Sequence, residues 1–271
     1  MNYEVVIIGG GSAGLSAALI LTRARRSVLV VDGAEPRNAP AAHMHNYLSR
    51  DGLSPLELLK HGRAEVEGYG GEVVNDDVRG VTRTDDGFTV ELSGRVVTAK
   101  RLLFATGLVD EVPENLRDRW GRDVFGCPYC HGYEVRDQKL VVFGEEMKVT
   151  LVGQWSDDVT HVPSVDGIEV EADRLVAVIS DGKRVPADAL VYSAPMKARD
   201  ELLLALGAET EETPVGPFVR TDAKGRTSVP GVYAAGNVTD PSAIVVVAAA
   251  QGAQAGAMIN MDLLGLLPPA G

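Results

Sequence analysis

The chain has 271 residues, 45% of them hydrophobic and 24% charged, and a net charge of −12. That length and balance predict a globular protein with one large or two modest domains. The negative charge leaves no basic surface with which to displace counterions from nucleic acid or to meet anionic lipid headgroups, so neither partner is expected.

Met1 to Gly10 carries no basic n-region and no cleavage pattern, which predicts no export and places the protein in the cytoplasm. Tyr3 to Ile8 reads as a buried strand; Gly9-Gly10-Gly11-Ser12-Ala13-Gly14 and the alanine-rich Leu15 to Leu21 follow as turn and helix. A second strand, Val28 to Val31, ends at Asp32 and closes a β-α-β unit of Rossmann length. Each glycine has a physical role: Gly9 for the tight turn, Gly11 for close approach of backbone to a pyrophosphate, Gly14 for close packing of helix on strand. The helix N-terminus at Ser12 and Ala13 then meets the anion. Asp32, ahead of Gly33, stands where a carboxylate can accept both ribose hydroxyls. By geometry alone FAD and NAD fit equally.

Tyr69 to Lys100 alternates apolar and polar residues around turns at Asp85-Asp86-Gly87 and Ser93-Gly94, which predicts a small antiparallel meander. A further buried strand, Leu102 to Ala105, stops at Thr106-Gly107, and Val112-Pro113 reads as a crossing between domains. Strand-like segments then recur at Leu140 to Phe143, Asp158 to Val162, Arg174 to Ile179 and Ala189 to Tyr192. Val229 to Ala235 returns as a strand ending at Gly236-Asn237, and a helix from about Ala243 to Leu264 follows. The apolar run Ile244 to Ala250 is too short to cross a bilayer. The expected fold is α/β: a three-layer Rossmann-like dinucleotide domain over residues 1–112 and 207–271, interrupted at 113–206 by a second, shortened nucleotide-binding-like domain.

The inserted domain carries both cysteines, in Cys127-Pro128-Tyr129-Cys130. One CxxC in an intracellular chain points to redox chemistry rather than to a disulfide framework. Half of a zinc site is the competing reading, but there is no second CxxC, and His131 alone leaves the coordination incomplete, so no metal is expected. The nucleophile in such chemistry is the thiolate, so a neighbouring acid/base group or a helix N-terminus has work to do beside it.

Gly9–Gly14, Ala105-Thr106-Gly107, the CPYC motif and Ala235-Gly236-Asn237-Val238-Thr239-Asp240 occur in the order and spacing of the low-molecular-weight thioredoxin reductases, class II of the pyridine nucleotide-disulfide oxidoreductases. The chain resembles that family outside the insert. Cys127 to Glu134, CPYCHGYE, is most similar to the branch that includes the gliotoxin and holomycin dithiol oxidases. The resemblance implies FAD, with Gly9, Gly11, Ser12, Ala13, Gly14, Asp32 and Gly33 on its adenosine and pyrophosphate and Ala105, Thr106 and Gly107 beside them. It implies that Arg37, Asn38, His45 and Asn46 run beneath the flavin and that Gly236 and Asn237 contact the ribityl chain. Asn237 replaces the family's usual Asp, and Ile244 and Val245 are apolar where many relatives place a polar contact to the isoalloxazine. Cys130 would face the flavin C4a, Cys127 would exchange with substrate, and His131 would take the place of the acid in ordinary thioredoxin reductases. A homodimer is implied as well, with a small-molecule dithiol or disulfide, or a thioredoxin-like protein, as substrate.

The chain departs from the family at the second nucleotide site. After Leu140 to Phe143 comes Gly144-Glu145-Glu146-Met147-Lys148, and after the next strand His161-Val162-Pro163, with no arginine. Carboxylates there oppose a pyrophosphate, and the insert reads as trimmed, which argues against NADPH. The expected function is therefore an FAD-dependent disulfide/dithiol oxidoreductase cycling electrons between Cys127–Cys130 and flavin, with oxygen or a non-pyridine donor at the other end. An NADPH-dependent thioredoxin reductase with an atypical nucleotide site, and a flavin-binding protein without turnover, are the alternatives.

Overall fold

The computed structural model describes residues 1–267. In chain order the elements begin β1 (Asn2–Ile8), α1 (Ser12–Arg23), β2 (Val28–Asp32), α2 (Pro55–Gly68), β3 (Glu72–Asn75), β4 (Val78–Thr84), β5 (Gly87–Leu92), β6 (Val96–Phe104) and β7 (Leu108–Asp110). They continue with α3 (Glu114–Arg117), β8 (Val124–Phe125), α4 (Pro128–His131), β9 (Leu140–Phe143), α5 (Met147–Val152), β10 (Val159–Val162), β11 (Gly167–Glu171), β12 (Arg174–Ser180), β13 (Lys183–Pro186) and β14 (Ala189–Tyr192). The last are β15 (Met196–Ala198), α6 (Glu201–Ala205), β16 (Thr210–Thr213), β17 (Gly216–Val219), β18 (Val232–Ala234) and α7 (Val245–Leu263).

Contacts divide these elements into two compact units: residues 1–37, 56–109 and 196–267 form the first, and 38–55 with 110–195 the second. Leu203 of α6 belongs to a core of the first unit, so Met196 to Leu206, read from sequence as insert, pack with the dinucleotide-binding elements. The segment 38–55 groups with the CxxC region.

The first unit is built on a sheet of order β3-β2-β1-β6-β5-β4, with β18 also paired to β6. Strands β1, β2, β3, β6 and β18 run parallel, and β4 and β5 are antiparallel additions. Along β1 successive residues alternate between two cores: Val5 and Ile7 pack with α1, α2 and α7, and Val6 and Ile8 with the opposite face. Both faces are covered, so the strand reads as continuously apolar. This is the α/β, three-layer, Rossmann-like arrangement expected from sequence.

Two local expectations change. The end of the meander and the buried strand after it are one strand, β6, and β3 pairs in parallel with β2 rather than joining the meander. Helix α2 was not read from the pattern, although Ser54-Pro55 with Glu57 three residues after the serine is a recognisable start signal.

The second unit has a four-stranded parallel sheet, β10-β9-β14-β8, and a three-stranded antiparallel sheet, β11-β12-β13. Leu175 and Val178 of β12 share one core with Val141 and Leu190, while Val152 of α5 joins Leu140, Val142 and Val191 on the opposite face. Strand β11 begins at Gly167, soon after β10 ends at Val162. Among the described residues no helix is long and apolar enough to cross a membrane.

Candidate flavin cradle and redox disulfide

In the first unit the chain leaves β1 through Gly9 at φ +106°, a conformation side chains resist. A Cβ on Gly9 would lie 2.3 Å from the Ala105 carbonyl oxygen, and one on Gly14 would lie 1.9 Å from the Gly9 carbonyl oxygen. Turn and helix are thus packed backbone on backbone. Gly11 is different: a Cβ there would meet nothing within 4 Å. It caps α1 with no side-chain hydrogen bond, and no acidic residue stands in the first turn. The orphan N–H groups at the head of a 12-residue helix, beside open space at a glycine, fit a dinucleotide pyrophosphate.

Asp32 ends β2 nearly buried; its Oδ1 accepts the Gly10 N–H at 3.1 Å. Its Oδ2 pairs with the guanidinium of Arg63, whose Nη1 also donates to Asn75 Oδ1 at 3.0 Å. Arg63 was missed from sequence because nothing local marks an arginine on α2 as the partner of a strand end. An open cleft of about 400 Å³, lined by Asp32, Ala34, Pro36, Leu59 and Arg63 among others, lies at this end. Gly33 follows under constraint, since a Cβ would approach Asp77 Oδ1 at 3.0 Å.

Ala105 donates to the Ile8 carbonyl, and Thr106 Oγ1 donates to the Arg199 carbonyl at 2.6 Å, while Arg199 returns its N–H to Gly107. Gly236, at φ +79°, brings the turn after β18 against α1, where a Cβ would lie 3.0 Å from Ala13 Cβ. Its N–H donates to Gln251 Oε1, and Gln251 Nε2 donates to Asp240. Gln251 was also missed; its signal is that it is the one polar side chain between Ala243 and Gly252.

Asn237 uses both ends of its amide. Nδ2 donates to the Asp240 and Ala243 carbonyls at 2.9 Å each, and Oδ1 accepts from Arg37 at 3.3 Å. An aspartate could not donate to those carbonyls, which gives the departure from the family's usual Asp a structural reason. Ile244 is the N-cap of α7 and Val245 its first residue. The first unit therefore gathers Gly9 to Gly14, Asp32, Gly33, Arg37, Ala105 to Gly107, Gly236, Asn237, Ile244 and Val245 on connected backbone.

In the second unit Cys127 and Cys130 form a disulfide with Cα atoms 5.3 Å apart. Cys127 is the N-cap of α4, which is a single turn, Pro128–His131. Within that turn Cys130 N–H donates to the Cys127 carbonyl and Gly132 N–H to the Pro128 carbonyl. Both cysteines are half-buried, so exposure does not distinguish their roles. One helical turn has little dipole to offer a thiolate, and His131 is the titratable side chain directly after Cys130. Its ring lies 4.9 Å from that of Phe125, and burial holds its pKa below the ordinary imidazole value against the opposing pull of Glu134. Burial therefore favours the neutral imidazole of His131.

Asn38, His45 and Asn46 belong to the segment grouped with this disulfide. Asn46 sits at φ +64°, donates its N–H to Asp51 Oδ1 at 2.9 Å and its Nδ2 to the Tyr129 carbonyl at 2.7 Å. His45 lies between two carboxylates, Nδ1 at 3.3 Å from Asp51 and Nε2 at 3.3 Å from Glu134. The Asn46 N–H, with His45 beside it, holds the Asp51 carboxyl below its usual range. Tyr129, largely exposed, meets Trp155 edge-on at 5.7 Å.

A dinucleotide cradle in one unit and a CxxC disulfide in another define a flavin-dependent disulfide oxidoreductase. The chain belongs to the pyridine nucleotide-disulphide oxidoreductase family, whose model matches residues 3–153 and 156–255. It is 27% identical to thioredoxin reductase sirT of Leptosphaeria maculans over 312 residues, spanning 97% of this chain and 95% of that protein. The crystal structure of HlmI superposes with a TM-score of 0.91 at 43% identity, covering 98% of this chain and 93% of that one. An oxidoreductase from Agrobacterium tumefaciens superposes with a TM-score of 0.89 at 33% identity, over 98% and 99% of the two chains. The protein is thus a thioredoxin reductase-like, FAD-binding oxidoreductase acting on disulfides, as the four ordered motifs predicted.

Proposed function

We propose that this protein is a dithiol oxidase or disulfide reductase whose Cys127–Cys130 pair exchanges electrons with FAD and which does not use NADPH. The observation that carries this reading is the CxxC disulfide followed directly by a half-buried histidine whose neutral form burial favours. A thiolate of the substrate attacks Cys127 Sγ, the Cys127–Cys130 bond breaks, and its electron pair remains on Cys130. His131 accepts the proton of the attacking thiol. The second substrate thiol then displaces Cys127, so the substrate leaves as a disulfide and both cysteines are reduced. Gly9 to Gly14, Asp32 and the Gly236-Asn237 turn would hold FAD, which would supply the two-electron acceptor for the pair, with oxygen as the terminal oxidant. Run backwards with a non-pyridine donor, the same exchange reduces a disulfide. Small dithiols or a thioredoxin-like protein are the substrates this chemistry admits.

The reading against NADPH rests on the turn after β9. Its Gly144, at φ +121°, is closed by Ser193, whose Oγ would lie 2.2 Å from a Cβ. Lys148 Nζ donates to that Oγ at 2.5 Å, and His161 Nε2 lies 3.0 Å from the Gly144 carbonyl oxygen. Residues from β10 and from beyond β14 thus already engage this turn. Exposed Glu145 and Glu146 precede α5, which has only six residues. The test is anaerobic: dithiothreitol is expected to bleach the flavin of the holoprotein, and NADPH to leave it oxidised. Stoichiometric bleaching by NADPH would establish the pyridine-nucleotide reductase instead, and indifference to dithiothreitol a protein without turnover.

A further inference from the structure

We propose that Asn46 is a positioning residue of the CxxC pair, fixing the peptide between the two cysteines and thereby favouring the disulfide over the dithiol. The proposal rests on the redox reading of Cys127–Cys130 above. It differs from the role beneath the flavin that the family resemblance implies for Asn46.

The Tyr129 carbonyl belongs to the peptide that joins Tyr129 to Cys130, inside the CxxC turn. The turn's backbone–backbone hydrogen bonds, from Cys130 to Cys127 and from Gly132 to Pro128, are made within the turn itself, and the His131 ring engages the Arg122 backbone. Asn46 Nδ2, at 2.7 Å from the Tyr129 carbonyl oxygen, ties the turn to a different segment of chain. That segment is in turn anchored at several points. Asp51 receives the Asn46 N–H, and His45 reaches Asp51 on one side and Glu134, four residues beyond Cys130, on the other. Met44 exchanges backbone hydrogen bonds with Gly52 and Leu53, closing the loop on itself. Asn46 is well suited to the place, since asparagine tolerates the left-handed backbone at φ +64° that presents its amide to the turn.

The physical consequence concerns effective concentration. Opening the disulfide replaces a covalent S–S contact with two sulfur atoms at van der Waals separation, so the turn between them must relax. Holding the carbonyl next to Cys130 resists that relaxation and keeps the sulfurs near bonding distance, where closure is intramolecular and favoured. The deletion removes one hydrogen bond of ordinary strength, and about a three- to tenfold change in the exchange equilibrium is expected. For this two-electron couple tenfold corresponds to about 30 mV.

The test uses the holoprotein equilibrated anaerobically in glutathione redox buffers, with the open and closed pair counted by alkylation and mass. Asn46→Gly keeps the left-handed backbone and the N–H to Asp51 but removes the amide. Asn46→Asp keeps the shape but sets a carboxylate against a carbonyl. Both are expected to open at three- to tenfold more oxidising buffer ratios than the natural protein, with Asn46→Asp at least as far as Asn46→Gly. A natural protein that opens while both variants match it, or shift toward the disulfide, overturns the proposal. A natural pair that does not open even in excess dithiothreitol would instead overturn the redox reading on which the proposal rests.

Discussion

His131 shows how a single residue's environment sets both chemistry and stability. Burial lowers its pKa, Glu134 and the Arg122 backbone pull it back up, and the nearby charges of His45 and Asp123 act in opposite directions. The folded pKa is below the unfolded one, so its contribution is fully present above the ordinary imidazole pKa of about 6.5. As pH falls below that value the unfolded chain takes up the proton first, and stability is lost until the folded pKa is passed. The loss amounts to about 1.4 kcal/mol per unit of depression. His131→Gln should therefore flatten the dependence of the unfolding midpoint on pH just below about 6.5, above the ordinary carboxylate range. Equal slopes for variant and natural protein in chemical denaturation would remove His131 from this role. The sequence placed His131 beside Cys130, but its burial against Phe125 comes from β8, which no local pattern ties to the histidine. The pairing of Asp32 with Arg63, and of Asn46 with Tyr129, was illegible for the same reason: both join segments remote in sequence.

At the scale of elements, β6 explains where pattern reading succeeds and where it fails. From Val96 to Lys100 burial alternates, and from Leu102 to Phe104 it is continuous, so one strand carries two periodicities. Its first half pairs with β5 and its second half lies between β1 and β18. The change from one buried face to two made a single strand read as two. The α1–α7 contact was legible only as glycines in a small-residue helix. A Cβ on Gly252 would lie 2.0 Å from the Ala13 carbonyl oxygen, and one on Gly256 would lie 2.8 Å from that of Ala17. Gly252→Ala must push α7 away from the start of α1, the proposed pyrophosphate site. It should destabilise by about 1–3 kcal/mol, as overpacking does, and weaken FAD retention, while Gly256→Ala costs less on both counts. Thermal unfolding and flavin release on dilution measure the two effects, and the reverse order of severity would contradict the backbone-on-backbone contact.

The whole molecule divides its functional elements between two contact-defined units, and that division predicts how it responds to loss of the cofactor. Gly9 to Gly14, Asp32 and the Gly236-Asn237 turn all belong to the first unit, whereas the disulfide and the sheet around β9 and β14 belong to the second. A ligand that binds only the folded state adds stability by mass action, about 4 kcal/mol at a thousandfold excess over its dissociation constant. The gain falls first on the elements whose opening releases the ligand. Removing FAD should therefore raise amide hydrogen exchange in α1, in β2 and at the start of α7, and leave β9 and β14 close to their protection in the holoprotein. Cutting the Cys127–Cys130 bond should do little to either sheet, because a loop of three-residue separation restrains the unfolded chain only weakly. Exchange followed by mass spectrometry on holo, apo and reduced protein separates these effects by peptide. Uniform loss of protection through both units on FAD removal would show that the cofactor stabilises the chain as one cooperative body. Loss of protection in Asn38 to Pro55 alongside α1 would instead bring His45 and Asn46 back to the flavin, as the family resemblance implies.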